Sequence, residues 1–142
     1  MVSATPFNVF TTPVTATTTY TLVSVTDAGL CARTTGFTGA AATITVNPLP
    51  VAAGTITGTT TVCQGQAATV TYNVPVITNA TSYVWTLPSG ATGTSTTNSI
   101  TVTYGSSALS GNITVLGNNS CGDGNSSSLA ITVNALPVAA GT

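Results

Sequence analysis

Chemistry in this sequence must be sought among very few side chains. Asp27, Asp123 and Arg33 are the only charged residues, and lysine, glutamate and histidine are absent. General acid–base catalysis needs a proton donor and acceptor within hydrogen-bond reach of the reacting group. Two carboxylates can work together on a glycosidic bond, but Asp27 and Asp123 fall in segments read below as different domains. A Ser or Thr nucleophile has no base to activate it. The glycines punctuate turns and form no phosphate cradle. The expectation is a protein that is not an enzyme, with no catalytic residue and no cofactor.

Metal and thiol chemistry are the remaining options. Asp27 in VTDAGLC and Asp123 in CGDGNSSS occupy equivalent loops. A Ca²⁺ site needs about six to eight oxygens, usually with several carboxylates. Asp123 with Asn125, Ser126 and backbone carbonyls could make only a weak site, and Asp and Gly are also ordinary turn residues. The absence of His and of any C-x-x-C pair argues against zinc. Cys63 and Cys121 bracket most of one domain, and the spacing is read as a disulfide tying two loops at one end of it. Closing that loop would contribute about 4 kcal/mol on the chain-entropy view. Cys31 matches Cys121 by position, so its partner is expected upstream and it is unpaired within this sequence.

The composition narrows the class. A net charge of −1 offers no basic surface for phosphates, which excludes nucleic acid as a partner. It also offers no polybasic patch for anionic lipid. With 42% hydrophobic residues and 2% charged ones, the chain has the opposite of a disordered composition. Thr, Val, Ala, Ser and Gly dominate. β-Branched Thr and Val suit a pleated, half-buried surface, and the Thr hydroxyl wets an outer face without charge. No run approaches the roughly 20 apolar residues of a membrane helix. The start, MVSATPFNVF, lacks the charged and apolar regions of a signal peptide. A cytosolic chain or an internal segment of a longer one is expected, and the repeats described next favour the second.

These residues must be positioned by strands. Apolar residues at helical spacing are absent, whereas period-two alternation recurs. It places Val70 and Tyr72, then Tyr83, Trp85 and Leu87, then Ile100 and Val102, Ile113 and Val115, and Ile131 and Val133 on inner faces as the expected core. Turn-rich PSGATGTSTTN, GSSALSGN and GNNSCGDGNSSS separate them. With TIT (Thr55–Thr57) and TTV (Thr60–Val62), about seven strands lie between Val51 and Val133, the content of an antiparallel immunoglobulin-like β-sandwich.

The joints repeat. VNPLPVAAGT (Val46–Thr55) recurs as VNALPVAAGT (Val133–Thr142), and a fixed spacing of this kind marks an array. FNVF, TTTYTLVSVTD, Cys31 and AATITVNPLP correspond in order to SITVTY, GNITVLGNNS, Cys121 and LAITVNALP. The expected organisation is the C-terminal half of an upstream repeat at 1–47, a short proline-containing linker at 48–54, one complete repeat at 51–134, and a linker with the start of the next repeat at 135–142. Pro48, Pro50 and Pro137 stiffen the joints.

The segment from Val51 to Val133 resembles the PKD-like repeats of large cell-surface proteins, adhesins and gliding-associated proteins among them, of Bacteroidetes-type bacteria. YVWTLPSG stands where PKD domains carry Y-x-W-D-F-G-D-G, so Tyr83, Trp85 and Gly90 match and Leu87 replaces Phe. Thr86 and Ser89 stand at its acidic positions, and no acid-dependent role is carried over. Residues Ala4–Val46 resemble the back half of a related unit. The resemblance implies an extracellular β-sandwich repeat, often of type IX-secreted proteins, acting as a stiff spacer or protein-interaction module. The partners it implies are neighbouring repeats of the same polypeptide, other copies, or a surface or secretion protein. Two other readings compete. A carbohydrate-binding module would need aromatics exposed on one face, drawn from Tyr20, Tyr72, Tyr83, Trp85 and Tyr104. A fibre-forming subunit would donate strands between chains.

Overall fold

The computed structural model describes residues 14–137, and the chain divides into two compact units, Met1–Asn47 and Pro48–Thr142. The alternating Thr and Val that disfavour helices produce strands throughout, and no helix occurs among the described residues. The expected strand FNVF and the expected start of a further repeat at 138–142 lie outside the described residues.

In the first unit, β1 (Thr18–Thr21) pairs antiparallel with β4 (Ala41–Ile44). The second pair is β2 (Val25–Thr26) with β3 (Ala32–Arg33). Thr19 and Thr43 are direct cross-strand partners and share a 2.9 Å hydroxyl hydrogen bond. None of the unit's described residues is buried, and Leu22, Val23, Val25 and Leu30 are all exposed.

The second unit is a sandwich of two sheets. Its strands are β5 (Thr61–Cys63), β6 (Gln66–Asn73), β7 (Ser82–Thr86), β8 (Ala91–Thr92), β9 (Ser99–Tyr104), β10 (Gly111–Asn119), β11 (Gly122–Asp123) and β12 (Ser127–Asn134). One sheet runs β11-β10-β12-β5, with β7 on the other edge of β10; the second runs β6-β9-β8. Period-two alternation sends Ile100, Val102 and Tyr104 of β9 inward, against Ile113 and Val115 of β10 and Ile131 of β12. Thr71 and Thr101, paired across β6 and β9, remain outside.

Three features differ from the sequence expectation. The sandwich is not antiparallel throughout: β5 runs parallel to β12, with Val62 opposite Val133. A first and a last strand that enter one sheet in the same direction can pair only in parallel, whatever the alternation says. Ala91–Thr92, expected in a turn, forms β8 against Thr103 and Tyr104. Gly122–Asp123, also expected in a turn, forms β11 and carries the β10 ladder on to Asn119.

The core centres on two tyrosines that alternation alone presents as apolar. Tyr72 and Tyr104 are 0% and 1% exposed, and their hydroxyls lie 2.8 Å apart. Tyr72 donates its proton to the Thr59 carbonyl at 2.8 Å. The bond between the two phenols is therefore donated by Tyr104, and every hydroxyl proton is used. Burial raises the Tyr104 phenol far above its ordinary value of 10.0, and the hydrogen bond to Tyr72 and its charge raise it further. Burial raises Tyr72 as well, against a lowering by the bond it accepts from Tyr104.

Tyr72→Phe strips the Thr59 carbonyl of its donor and Tyr104 of its acceptor, and should cost about 1–3 kcal/mol in urea unfolding. Tyr104→Phe leaves the Thr59 bond intact and should cost less, about 0.5–1.5 kcal/mol. The reverse order would contradict the assigned donor direction. Both folded phenols hold their protons at pH values where the unfolded ones, near 10.0, release them. Stability is thus complete below pH 10 and falls as pH climbs above it. That loss should be shallower in the double Phe variant, as followed by denaturation at stepped pH.

Candidate functional site

The segment expected to be a linker is hydrogen-bonded to the second unit at several points. Pro50 is buried. Asn119, at the end of β10, donates both of its amide protons, to the Pro48 carbonyl at 2.8 Å and the Asn79 carbonyl at 2.9 Å. Its Oδ1 accepts from the Cys121 amide at 2.8 Å. The Val51 amide donates to the Thr78 carbonyl and the Ala53 amide to the Asn125 carbonyl. Residues 48–53 thus group with the second unit, where the sequence reading placed a linker at 48–54 overlapping a repeat that begins at 51. Proline has no amide to give a ladder, and the Pro48 carbonyl accepts from the Asn119 side chain.

Two glycines make this seat possible. A Cβ at Gly124 would lie 2.7 Å from the Pro50 carbonyl oxygen, and one at Gly117 would lie 3.2 Å from Pro50 Cβ and 2.8 Å from Ala80 and Ile77. Only the missing side chains let Pro50 sit against the sheet.

The residues of the YVWTLPSG stretch serve the same architecture. Tyr83, Trp85 and Leu87 are half-buried and pack against the core. The Tyr83 hydroxyl accepts the Ile77 amide at 2.9 Å, and Trp85 Nε1 donates to the Thr97 carbonyl at 2.9 Å. The Tyr83 amide donates to the Thr96 carbonyl, so the loop before β9 covers the outer edge of β7. Gly90 has φ +77, and a Cβ there would lie 2.6 Å from Ala108 Cα and the Ser107 carbonyl. Of the expected core residues, Tyr72, Ile100, Val102, Ile113, Val115 and Ile131 are buried. Val70, Tyr83, Trp85, Leu87 and Val133 pack around them, half-buried. Ile56, Val62, Val74, Ile77, Tyr104 and Ala108 complete the core. Alternation in the flanking strands signals Val74 and Tyr104; Ile77 and Ala108 sit in loops, where periodicity is silent.

The expected Cys63–Cys121 bridge is corrected by the strand register. Cys63 stands opposite Asn134 at one end of the sheet, beyond the Gly111–Ile131 pair. Cys121 sits in the β10–β11 turn at the other end. The eight residue steps of β10 alone separate these ends by about 27 Å, against the roughly 4.4–6.8 Å that a disulfide requires between Cα atoms. All three cysteines, Cys31 included, are exposed thiols. Both cysteines border turns, and only the pairing of β5 with the far end of β12 sets them at opposite ends.

The two carboxylates lie in separate units and act on their own turns. Asp27 Oδ1 accepts the Gly29 and Cys31 amides, each at 2.9 Å, closing the β2–β3 turn. Asp123 Oδ1 accepts Asn118 Nδ2 at 2.6 Å, across a directly paired position of β10 and β11. Among the described residues, no three His, Cys, Asp or Glu side chains gather in a metal-binding group. Arg33 donates to the Thr35 and Gly36 carbonyls and lies 5.8 Å from the Phe37 ring centroid. What this geometry can do is hold the beginning of the second unit against the end of β10 and the loop before β12.

Asn119→Ala removes the donor to both the Pro48 and Asn79 carbonyls and should cost about 1–3 kcal/mol. Hydrogen exchange should quicken at the Val51 and Ala53 amides while Val102 and Val115 keep their protection. Uniform loosening of all four would refute a local clamp.

No curated protein matches the chain. The family model for the PKD-like domain matches residues 49–131, beginning within the anchored segment and ending in β12. That span covers more than half of the sequence and holds the sandwich core, so the chain belongs to the PKD-like domain family.

Proposed function

We propose that this chain is a stretch of a long extracellular surface protein, in which PKD-like repeats serve as a stiff, non-catalytic spacer and a protein-interaction module. Membership in the family supports an immunoglobulin-like structural or interaction module. The observation that carries the finer reading is the anchored Pro48–Ala53 segment, whose sequence recurs after Val133. Between the end of β4 at Ile44 and the clamped Pro48 carbonyl only Thr45, Val46 and Asn47 intervene. A connection of three residues spans about 10 Å at most, too little for a flexible tether. Neighbouring repeats of the same polypeptide are the natural partners, together with other copies or a surface or secretion protein. The scarcity of charge suits an extracellular location, where salt has little to screen.

The carbohydrate-binding alternative draws little support from the aromatics. Tyr72 and Tyr104 are buried, while Tyr83 and Trp85 pack on the core and spend their polar atoms on backbone.

The spacer reading is tested with tandem chains of two, four and six copies of residues 48–134. Small-angle scattering should give a maximum dimension that grows by a constant increment per repeat. Growth with the square root of copy number, as for a flexible string, would overturn the spacer.

A further inference from the structure

The two units carry the same back half, and their strand registers align it residue by residue. Thr18 pairs with Ile44 as Gly111 pairs with Ile131, and Tyr20 pairs with Ala42 as Ile113 pairs with Leu129. TTYTLVSVT (residues 18–26) therefore overlays GNITVLGNN (111–119), and ATITVN (42–47) overlays LAITVN (129–134). The inward-facing pair stays apolar: Tyr20 opposite Ala42 stands where the second unit has Ile113 opposite Leu129.

Despite this identity of pattern, the strands are interrupted in the first unit at two places. Leu22–Ser24 breaks β1 from β2, where Val115–Gly117 runs unbroken through β10. In the second unit those three residues pair with Trp85, Val84 and Tyr83 of β7. Thr45–Asn47 is not strand, whereas Thr132–Asn134, with the same three residue types, pairs with Thr61–Cys63 of β5. Both interruptions fall where the second unit is completed by its own front half. The inner face shows the same deficit: Leu22 is 46% exposed and its counterpart Val115 is 1% exposed. An open apolar groove of about 650 Å³, lined by Tyr20, Leu22, Phe37 and Ala42 among others, lies on this side.

We propose that residues 14–47 form the acceptor half of a second sandwich, and that its occupant is the front half of a PKD-like repeat carried ahead of it on the same polypeptide. That occupant supplies a β7-type strand antiparallel to Thr21–Val25, a β5-type strand parallel to Thr45–Asn47, and a β6–β9-type sheet over Tyr20, Leu22 and Ile44. A source in the same polypeptide follows from spacing. At the offset that overlays Thr18 on Gly111, Phe7 and Val9 take the sequence positions of Ile100 and Val102. The alternation of the front half's last strand is thus written directly ahead of the acceptor. This inference rests on the array reading above, since it takes the preceding chain to be another such repeat.

The test fuses a copy of Pro48–Asn98 ahead of Met1 and leaves all 142 residues intact. In the unextended protein, where the Leu22 and Val46 amides already donate to the Ala40 carbonyl and the Thr17 hydroxyl, the amides of Val23, Thr45 and Asn47 should exchange freely. In the extended protein they should slow by about a hundredfold or more, the change expected when open edges join a cooperative sheet. Leu22→Asp in the extended protein should abolish that protection while β10 and β12 keep theirs, which serves as the folding control. Unchanged exchange on extension would overturn the proposal. So would protection that appears in the unextended protein as concentration rises, with dimers in sedimentation, since the occupant would then be a second copy. Neither result touches the tandem of residues 48–134, so failure here is separable from failure of the spacer reading.

Discussion

The second unit depends on β10 being paired along both edges. β12 takes one side from Gly111 to Val115, and β7 takes the other from Thr114 to Asn118. A strand with an open edge leaves a row of donors and acceptors to water and to other chains. Here that row is closed by a strand drawn from far earlier in the sequence, and β12 is closed in turn by β5, which is earlier still. The sheet is therefore complete only when the whole domain is present. Contacts of such long sequence separation must offset their loop-closure entropy together.

Cohesion is achieved almost without ions. Hydroxyls and amides at and around the core find neutral partners: Tyr72 with Thr59 and Tyr104, Tyr83 with Ile77, and Asn98 with the Val74 carbonyl, while the buried Ser127 hydroxyl has none. Each such bond contributes modestly but would be costly to leave unmade. The outer faces follow the same rule, with Thr71 set against Thr101 in the second unit and Thr19 against Thr43 in the first. A surface wetted by hydroxyls has little to titrate and little for salt to screen.

Much of this is legible in the residues themselves. β-Branched composition and period-two alternation point to strands, and they single out Tyr72, Ile100, Val102, Ile113, Val115 and Ile131 as inward-facing, all of which are buried. The first copy of VN-x-LPVAAGT spans the point where the two units divide, between Asn47 and Pro48. Less accessible are features that arise between segments. Asn119 looks like one more loop asparagine, yet it holds two carbonyls from residues 48 and 79. Ile77 and Ala108 are buried from loops, where no periodicity announces them. β8 and β11 are only two residues long and exist because a neighbouring strand offers its edge.

The segment ITVN, present at 44–47 and 131–134, shows where the division falls. Its alternation by itself determines that the segment prefers an extended backbone, with Ile and Val on one face and Thr on the other. Whether it becomes a strand was decided by tertiary structure. At 131–134 it lies beside β5 and is strand to its last residue, while at 44–47 only Ile44 is. The same holds for the cysteines, whose positions invite a bridge that the register places at opposite ends of one sheet. Local residue chemistry determines which face points inward, because side chains alternate along any strand. Which strand lies alongside, in which direction and at which register is a property of distant segments, and only their packing together settles it.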